Sequence, residues 1–315
     1  MLMCKVAAVI VTFNRKELLL QNLKECFNQN YELTKIIIVD NHGTDNTKDY
    51  LEDRLNINDL SKIEYCYLES NIGGAGGFEY GLKKAFADKY DFVWLMDDDG
   101  KPKNSNTLLN LMKFVFEFNY LGKDVILNSL VCYDDVQLSF GIIEDKTIKY
   151  NIFDINNKYV KGFINPFNGT LISYKAIEKL GFPKGEYFIK GDEKEYLLRA
   201  LYYKVPVYTV VESLYFHPSP RISSSSKKFF GKKLVNNIEA GWKEYYSMRN
   251  NCLNSKIYDK FSFFKNCRRI IVRVFKIIYM GNNRFETIRM TIKGFSHALI
   301  NKSGIYYLPG NKKVK

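Results

Sequence analysis

Apolar residues in the first hundred positions fall in short unbroken runs, the pattern of strands covered on both faces. Lys5 to Thr12 (KVAAVIVT) and Lys35 to Asp40 (KIIIVD) are two such runs, rich in β-branched residues, with helical apolar spacing over Glu17 to Phe27 between them. This is the β-α-β rhythm of a parallel sheet with crossover helices. A third strand is predicted over Ile63 to Leu68, then a glycine-rich turn, a helix over Phe78 to Ala87, and a strand over Phe92 to Met96 that runs into Asp97, Asp98 and Asp99. Open α/β sheets bind ligands at the C-terminal ends of their strands, so the polar residues after Thr12, at Asp40 and at Asp97 to Asp99 are expected to converge.

Residues from about 125 to 161 read as irregular β-structure and loops, followed by a strand and a helix starting near Lys175. Apolar spacing from Tyr196 to Tyr203 is helical, with Asp192, Glu193 and Glu195 at its start, where the helix dipole favours acids. The stretch HPSPRISSSSKK from His217 to Lys228 has the composition of a linker. It sets the expected division into a catalytic unit at 1–220 and a second unit at 221–315, in which 243–279 and 285–300 read as basic amphipathic helices.

Charge sharpens that division. Arg221 to Lys315 holds 21 Lys/Arg against four Asp/Glu, whereas the preceding residues hold 26 against 30. So uneven a distribution points to an anionic surface as partner of the tail, with lipid headgroups preferred: nucleic-acid readers spread positive charge over the ligand face, and the ligand edge here is acidic. A hydrophobic content of 46% with 26% charged residues excludes a disordered chain. The six cysteines lack C-x-x-C spacing, which argues against a zinc site or a disulfide framework and for reduced, cytoplasmic thiols. The opening apolar run is too short to span a bilayer and carries no cleavage site, so it is read as a buried first strand.

Four groups of residues carry chemistry. Three adjacent carboxylates repel one another, so Asp97-Asp98-Asp99 after an apolar strand suits a hard divalent cation clamped to phosphate oxygens. Alternation along an extended backbone lets Asp97 and Asp99 share one ion while Asp98 points elsewhere. His217, after the apolar run VVESLYF, can supply a third ligand through a neutral imidazole. Asp192 and Glu193 offer a carboxylate at a helix N-terminus that can take a proton from an attacking hydroxyl, although capping alone also explains acids there. Asn71-Ile72-Gly73-Gly74-Ala75-Gly76-Gly77-Phe78 joins a strand to a helix, where backbone amides approach diphosphate or sugar hydroxyls. It is neither a dinucleotide fingerprint nor a P-loop, and no Lys/Arg-rich glycine loop of the nucleotidyltransferase kind lies near the N-terminus.

Taken in order, VIVTFNR, VDNHGTDNT, NIGGAGGF, MDDDG, FIKGDEKEYLLRA, Phe216-His217 and YYSMRNN resemble the inverting glycosyltransferase family 2 enzymes of the GT-A fold. Within that family the galactofuranosyltransferase-like and rhamnosyltransferase-like branch is the nearest in pattern. The resemblance implies an α/β GT-A domain with a mostly parallel central sheet, followed by a basic C-terminal helical region. It implies donor contacts from Thr12, Asn14, Arg15, Asp40, Asn41, Asn71, Gly73, Gly74, Gly76 and Asp98, with Asp40 near the base and Arg15 near the diphosphate. It implies Mn²⁺ or Mg²⁺ on Asp97, Asp99 and His217, and a base at Glu193, with the role of Asp192 interchangeable. In those enzymes the base is usually Asp and an aromatic residue stands where this chain has Gly191. The expected donor is UDP-galactofuranose, with dTDP-rhamnose as alternative, and the acceptor a lipid-linked or polysaccharide glycan at the inner face of the cell membrane. A homo-oligomer is compatible with the pattern, and a non-catalytic nucleotide-sugar or nucleic-acid binding protein is the alternative of another class.

Overall fold

The computed structural model describes residues 4–162, 167–218, 241–259, 261–281 and 283–308, residue 239, and the backbone of 226–229, 232–235 and 312–313. In chain order the first half contains β1 (Val6–Thr12), α1 (Lys16–Phe27), β2 (Lys35–Asp40), α2 (Thr47–Glu52), α3 (Ile57–Ser61), β3 (Ile63–Tyr67), α4 (Gly73–Ala87), β4 (Phe92–Asp97), β5 (Lys101–Pro102) and α5 (Thr107–Glu117). Then come β6 (Ile126–Cys132), β7 (Gln137–Glu144), β8 (Thr147–Asn151), β9 (Tyr159–Lys161), β10 (Thr170–Ser173), α6 (Tyr174–Leu180), α7 (Asp192–Tyr202) and β11 (Val207–Phe216). Three longer helices follow: α8 (Gly241–Tyr258), α9 (Ser262–Met280) and α10 (Arg284–Leu299).

The main sheet runs β3-β2-β1-β4-β10-β6-β11-β5. Its first four strands are parallel, β10 enters antiparallel to both β4 and β6, and β11 returns parallel to β6. Alternation splits each buried strand between two cores. Val6, Ala8, Ile10, Ile36 and Ile38 pack with α1 and α5, while Ala7, Val9, Val11, Ile37 and Val39 pack with α4, α6 and α7. Strands covered in this way need apolar residues at every position, which is why their runs are unbroken in sequence.

Three elements differ from expectation. The stretch read as irregular contains β6, an entirely buried strand in the middle of the sheet. Asn128 and Ser129 interrupt its apolar run, but their side chains are satisfied inside the sheet: Thr170 Oγ1 donates to Asn128 Oδ1 at 2.9 Å, and Ser129 Oγ meets Ser213 Oγ at 2.8 Å. The glycine-rich segment is not a turn before the helix but the first turns of α4 itself. Glycine there is dictated by contact: a Cβ on Gly77 would lie 2.6 Å from Val11 Cγ1, and one on Gly81 2.3 Å from Val9 Cγ1. The stretch 243–279, read as a single amphipathic helix, is two, broken where the Asp259 carboxylate accepts the Phe261 N–H at 3.0 Å. Of these, α9 is amphipathic, but α8 is buried on nearly all sides between α7, α9 and α10. The linker expected at 217–228 lies largely outside the described residues. Among the described residues no helix is long and apolar enough to cross a membrane.

The contact between α4 and β1 yields a stability test. Gly81→Ala gains up to about 1 kcal/mol of helix propensity, yet overpacking against Val9 costs about 1–3 kcal/mol. A net loss in urea unfolding is expected, and a variant as stable as the parent would contradict the close packing.

Candidate active site

The C-terminal ends of β1, β2 and β4 lie side by side because their register pairs Thr12 with Asp40 and Val11 with Asp97. The polar residues that follow are thereby brought to one edge. Thr12 Oγ1 donates to Asp98 at 2.9 Å and the Phe13 N–H to the same carboxylate at 3.3 Å. Arg15 bridges Asp98 at 2.9 Å and Asp99 at 2.7 Å. Asp98 is therefore turned inward, as alternation along the strand requires. Thr12 and Asp98 are both buried and do not reach the open cavity; they anchor Arg15.

That cavity, about 350 Å³, is lined by Arg15 from the β1 end, by Asn71, Gly73 and Gly74 of the glycine segment, and by Asp97 of β4. Asp192 and Glu193 at the start of α7 line it too, with Lys190 before them and Trp242 and Lys243 of α8. Asn41 Oδ1 accepts the Ile72 N–H at 2.8 Å, holding the glycine segment against the strand ends. Gly73 has a φ of +75°, and a Cβ there would fall 2.1 Å from the Phe188 carbonyl oxygen. Amides expected to be free at this helix start are partly occupied: Gly73 N–H donates to Asn71 and Ala75 N–H to the Phe188 carbonyl. A Cβ on Gly74 would meet nothing, so this residue faces open space, whereas Gly76 packs on Ile72. Asp40 sits in an adjacent concavity beside Gly43 and Tyr67, its oxygens engaged by the Gly43 N–H at 2.7 Å and by the Tyr65 hydroxyl. Asn14 Oδ1 accepts the Thr44 N–H at 2.6 Å and steadies the same loop.

Carboxylates dominate the electrostatics. Burial, then the charges of Asp99, Asp98 and Glu193, hold the Asp97 carboxyl well above its ordinary range. Burial also lifts Asp98, with Arg15 and Thr12 offsetting part of the effect. Burial acts on Asp99 in the same direction, but hydrogen bonds from His217 and Arg15 outweigh it and pull that group below its ordinary value. Across the cavity Asp192 is pushed well up by burial first, then by the charge of Glu193 and a hydrogen bond with it. Glu193 Oε2 is buried and has no hydrogen-bond partner.

His217 Nε2 stands 3.4 Å from Asp99, and its Nδ1 lies 2.7 Å from the Pro218 carbonyl. Both ring nitrogens thus face oxygen atoms, and a neutral imidazole can donate to only one of them, so a cation between Nε2 and Asp99 would satisfy the pair. The donor set of two carboxylates and one imidazole thus fits a divalent ion. Among the described residues, however, no three His, Cys, Asp or Glu side chains form a group that could hold a metal ion. Asp97, Asp99 and His217 are therefore not preassembled as a ligand triad: Arg15 draws Asp99 toward Asp98.

Residues from the basic region complete the site, and sequence reasoning assigned them no role. The path into α7 is contorted, with positive φ at Phe188 (67°), Lys190 (66°) and Gly191 (89°). Such backbone persists only when its surroundings hold it. Here α8 does: Asn250 Nδ2 donates to the carbonyls of Tyr187, Ile189 and Lys190 at 3.1, 3.0 and 2.7 Å. Arg249, fully buried, donates to the Glu186 and Tyr187 carbonyls, and Asn254 to that of Gly191 at 2.9 Å. The available signal was the run Arg249-Asn250-Asn251 inside a helix otherwise rich in aromatic and apolar residues.

A parallel sheet with an acidic strand end, a glycine-opened helix beside it and a carboxylate pair across the cavity together define a glycosyltransferase of the GT-A fold. The chain belongs to glycosyl transferase family 2, whose family model matches residues 7–181. It is 29% identical over 224 residues to the galactofuranosyltransferase GlfT1 of Mycolicibacterium smegmatis, covering 68% of this chain and 70% of that one. It is 25% identical over 262 residues to the dTDP-rhamnosyl transferase RfbF of Shigella flexneri, covering 77% of each. Among solved structures it resembles S. aureus TarS 1-349 in complex with UDP (TM-score 0.60, 13% identity, 98% of this chain and 95% of that one). It also resembles the mannosyltransferase PcManGT of Pyrobaculum calidifontis in complex with GDP-Man and Mn²⁺ (TM-score 0.56, 12% identity, 95% and 88%).

Two measurements probe this geometry. Asn250→Ala removes the Nδ2 contacts to three loop carbonyls and the Oδ1 acceptor of Arg249 Nε, so urea unfolding should show a loss of about 2–4 kcal/mol; an unmoved midpoint would mean that the loop does not depend on α8. The second uses pH. Asp192 has a folded-state value raised above the ordinary 3.8, so its stabilising contribution is complete below that value and is lost as pH rises through the folded one. Asp192→Asn, which stays neutral, should gain stability relative to the parent as pH rises above about 4. Parallel stability curves would show that burial does not hold the proton.

Proposed function

We propose that the protein transfers a sugar, with inversion, from a nucleotide diphosphate donor to a lipid-linked or polysaccharide acceptor of the cell surface. The observation that carries this reading is Glu193: its Oε2 is buried at the cavity wall without a partner, opposite Asp97. A carboxylate oxygen left unsatisfied beside a cavity is costly unless a ligand supplies a donor, and an acceptor hydroxyl is such a donor. Burial favours Asp192 in its protonated form, and its carboxyl hydrogen-bonds Glu193.

Arg15 is placed for the donor diphosphate, Asn71 and Gly74 for the donor sugar, and the loop around Asp40, Asn14 and Asn41 for the nucleoside. Trp242, backed by the buried Phe188, offers a ring on which a pyranose or furanose can stack. A bound Mn²⁺ or Mg²⁺, held by Asp97, Asp99 and His217, would supply charge neutralisation to the departing nucleotide diphosphate. The matches to GlfT1 and RfbF favour UDP-galactofuranose as donor, with dTDP-rhamnose second. The basic excess of residues 221–315 favours placement at an anionic inner membrane surface, each Lys or Arg near it contributing about 1 kcal/mol.

Glu193→Gln keeps shape and removes the base. Transfer should fall by about 10²–10⁴-fold, while titration with UDP in the presence of Mn²⁺ should give nearly the parental affinity. Retained turnover would reject Glu193 as the base. Failure of a panel of UDP- and dTDP-sugars to release free nucleotide would reject the transferase reading.

A further inference from the structure

A second cavity, about 540 Å³, opens on the other side of the first turn of α7, between α8 and α9. Six basic side chains line it: Lys194, Lys265, Arg268, Arg269, Arg273 and Lys276, against two carboxylates, Glu239 and Glu244. Both carboxylates are already paired, Glu244 with Arg273 and Glu239 with Lys190 at 3.1 Å, and Lys265 is paired with Asp259. Lys194, Arg268, Arg269 and Lys276 enter no ion pair among the described residues. Two of them are nonetheless held in place by neutral oxygens of α8: Lys194 Nζ by Asn251 Oδ1 at 3.1 Å, and Arg269 by the Asn251 carbonyl at 3.1 Å. Desolvation and the nearby charge of Arg269 lower the Lys194 ammonium against the opposing charge of Glu193. Paired guanidinium groups beside ammonium groups match phosphate oxygens in geometry and charge.

The surroundings narrow the ligand. Helix α9 carries no Asp or Glu, and its cavity-facing positions recur every three or four residues. One step round the helix lies an apolar stripe that solvent reaches, with Phe264 at 74%, Ile271 at 69% and Ile278 at 52% exposure. A basic seat beside exposed hydrocarbon suits an amphiphile with an anionic head. The seat is also next to the reaction centre, because Glu193 and Lys194 are consecutive and face the two cavities from the same helical turn.

We propose that this basic cavity binds the phosphate or diphosphate group of a lipid-linked acceptor, with the lipid along the α9 stripe and the sugar reaching Glu193 over the shared wall. The assignment rests on the transferase reading and adds to it the acceptor's linkage chemistry and its seat. Donor diphosphate is not needed to explain the cavity, since none of its basic residues lines the cavity that holds Arg15 and Asp97.

Calorimetric titration of the full chain with farnesyl diphosphate, in saturating UDP and Mn²⁺, tests it. Binding that persists under UDP, with farnesol inert, is expected. Combined R268E and K276E substitution should weaken binding at least about tenfold, and the charge-preserving pair R268K and K276R should restore it. Circular dichroism and the melting temperature of both variants guard against misfolding. Displacement of farnesyl diphosphate by UDP, or undiminished binding by the charge-reversed variant, would overturn the assignment. So would binding to phosphatidylglycerol vesicles with none to farnesyl diphosphate, which would make the cavity a contact for bilayer headgroups. Sugar transfer by a protein that ignores farnesyl diphosphate sinks the cavity and leaves the transferase reading standing; farnesyl diphosphate binding without any transfer does the reverse.

Discussion

Negative charge concentrated at one edge of a parallel sheet is the constraint around which this protein is arranged. Asp97 and Asp98 are forced together by their place at the end of β4, and the parallel register of β1 sets Thr12 and Arg15 beside them. Arg15 spans two of the three carboxylates and leaves Asp97, which burial and its acidic neighbours press toward the neutral form. Adding Asp192 and Glu193 across a narrow cavity increases the same deficit of positive charge. A site built this way is most stable when a cation or a set of hydrogen-bond donors arrives.

Holding a carboxylate pair in that field takes a rigid frame, and the frame comes from far along the chain. The backbone from Phe188 to Gly191 passes through three left-handed conformations before α7 begins. Left-handed Phe and Lys each cost of the order of 1–3 kcal/mol. The carbonyls of Tyr187, Ile189, Lys190 and Gly191 accept from Arg249, Asn250 and Asn254, and that of Phe188 from the Ala75 N–H, so the strain is offset by hydrogen bonds from α8 and α4. The basic C-terminal helices are thus structurally part of the site's wall, and the same packing of α8 against α7 and α9 creates the second, positively charged cavity. An acidic and a basic chamber on either side of one helical turn place opposite electrostatic demands within a few residues of each other.

Sequence pattern carried much of this, unevenly. The strands β1, β2 and β4 were legible because a strand covered on both faces must be apolar at every position. The period of two along an extended chain did not separate Asp98 from Asp99, since one Arg15 nitrogen holds both carboxylates and Asp97 alone of the three lines the cavity. The family followed from motifs in order, and their order is what a shared fold preserves. By contrast β6 was hidden because Asn128 and Ser129 satisfy their polar groups through partners 40 to 84 residues away. The glycines of α4 were taken for a turn because low helix propensity is local information, whereas the contacts with Val9, Val11 and Phe188 that demand glycine come from other elements.

The chain's own order of residues therefore determined which elements form, which chemical groups exist and that the carboxylates end a buried strand, since each follows from short-range periodicity and from the side chains themselves. Only the tertiary structure decided which groups meet. That Arg15 takes Asp99 as well as Asp98, that His217 faces Asp99, that an arginine and two asparagines of α8 fasten the loop before Glu193, and that four cations without an ion pair among the described residues gather beside it are all long-range facts. They depend on the packing of elements separated by tens to hundreds of residues, and no local pattern encodes a distance of that kind.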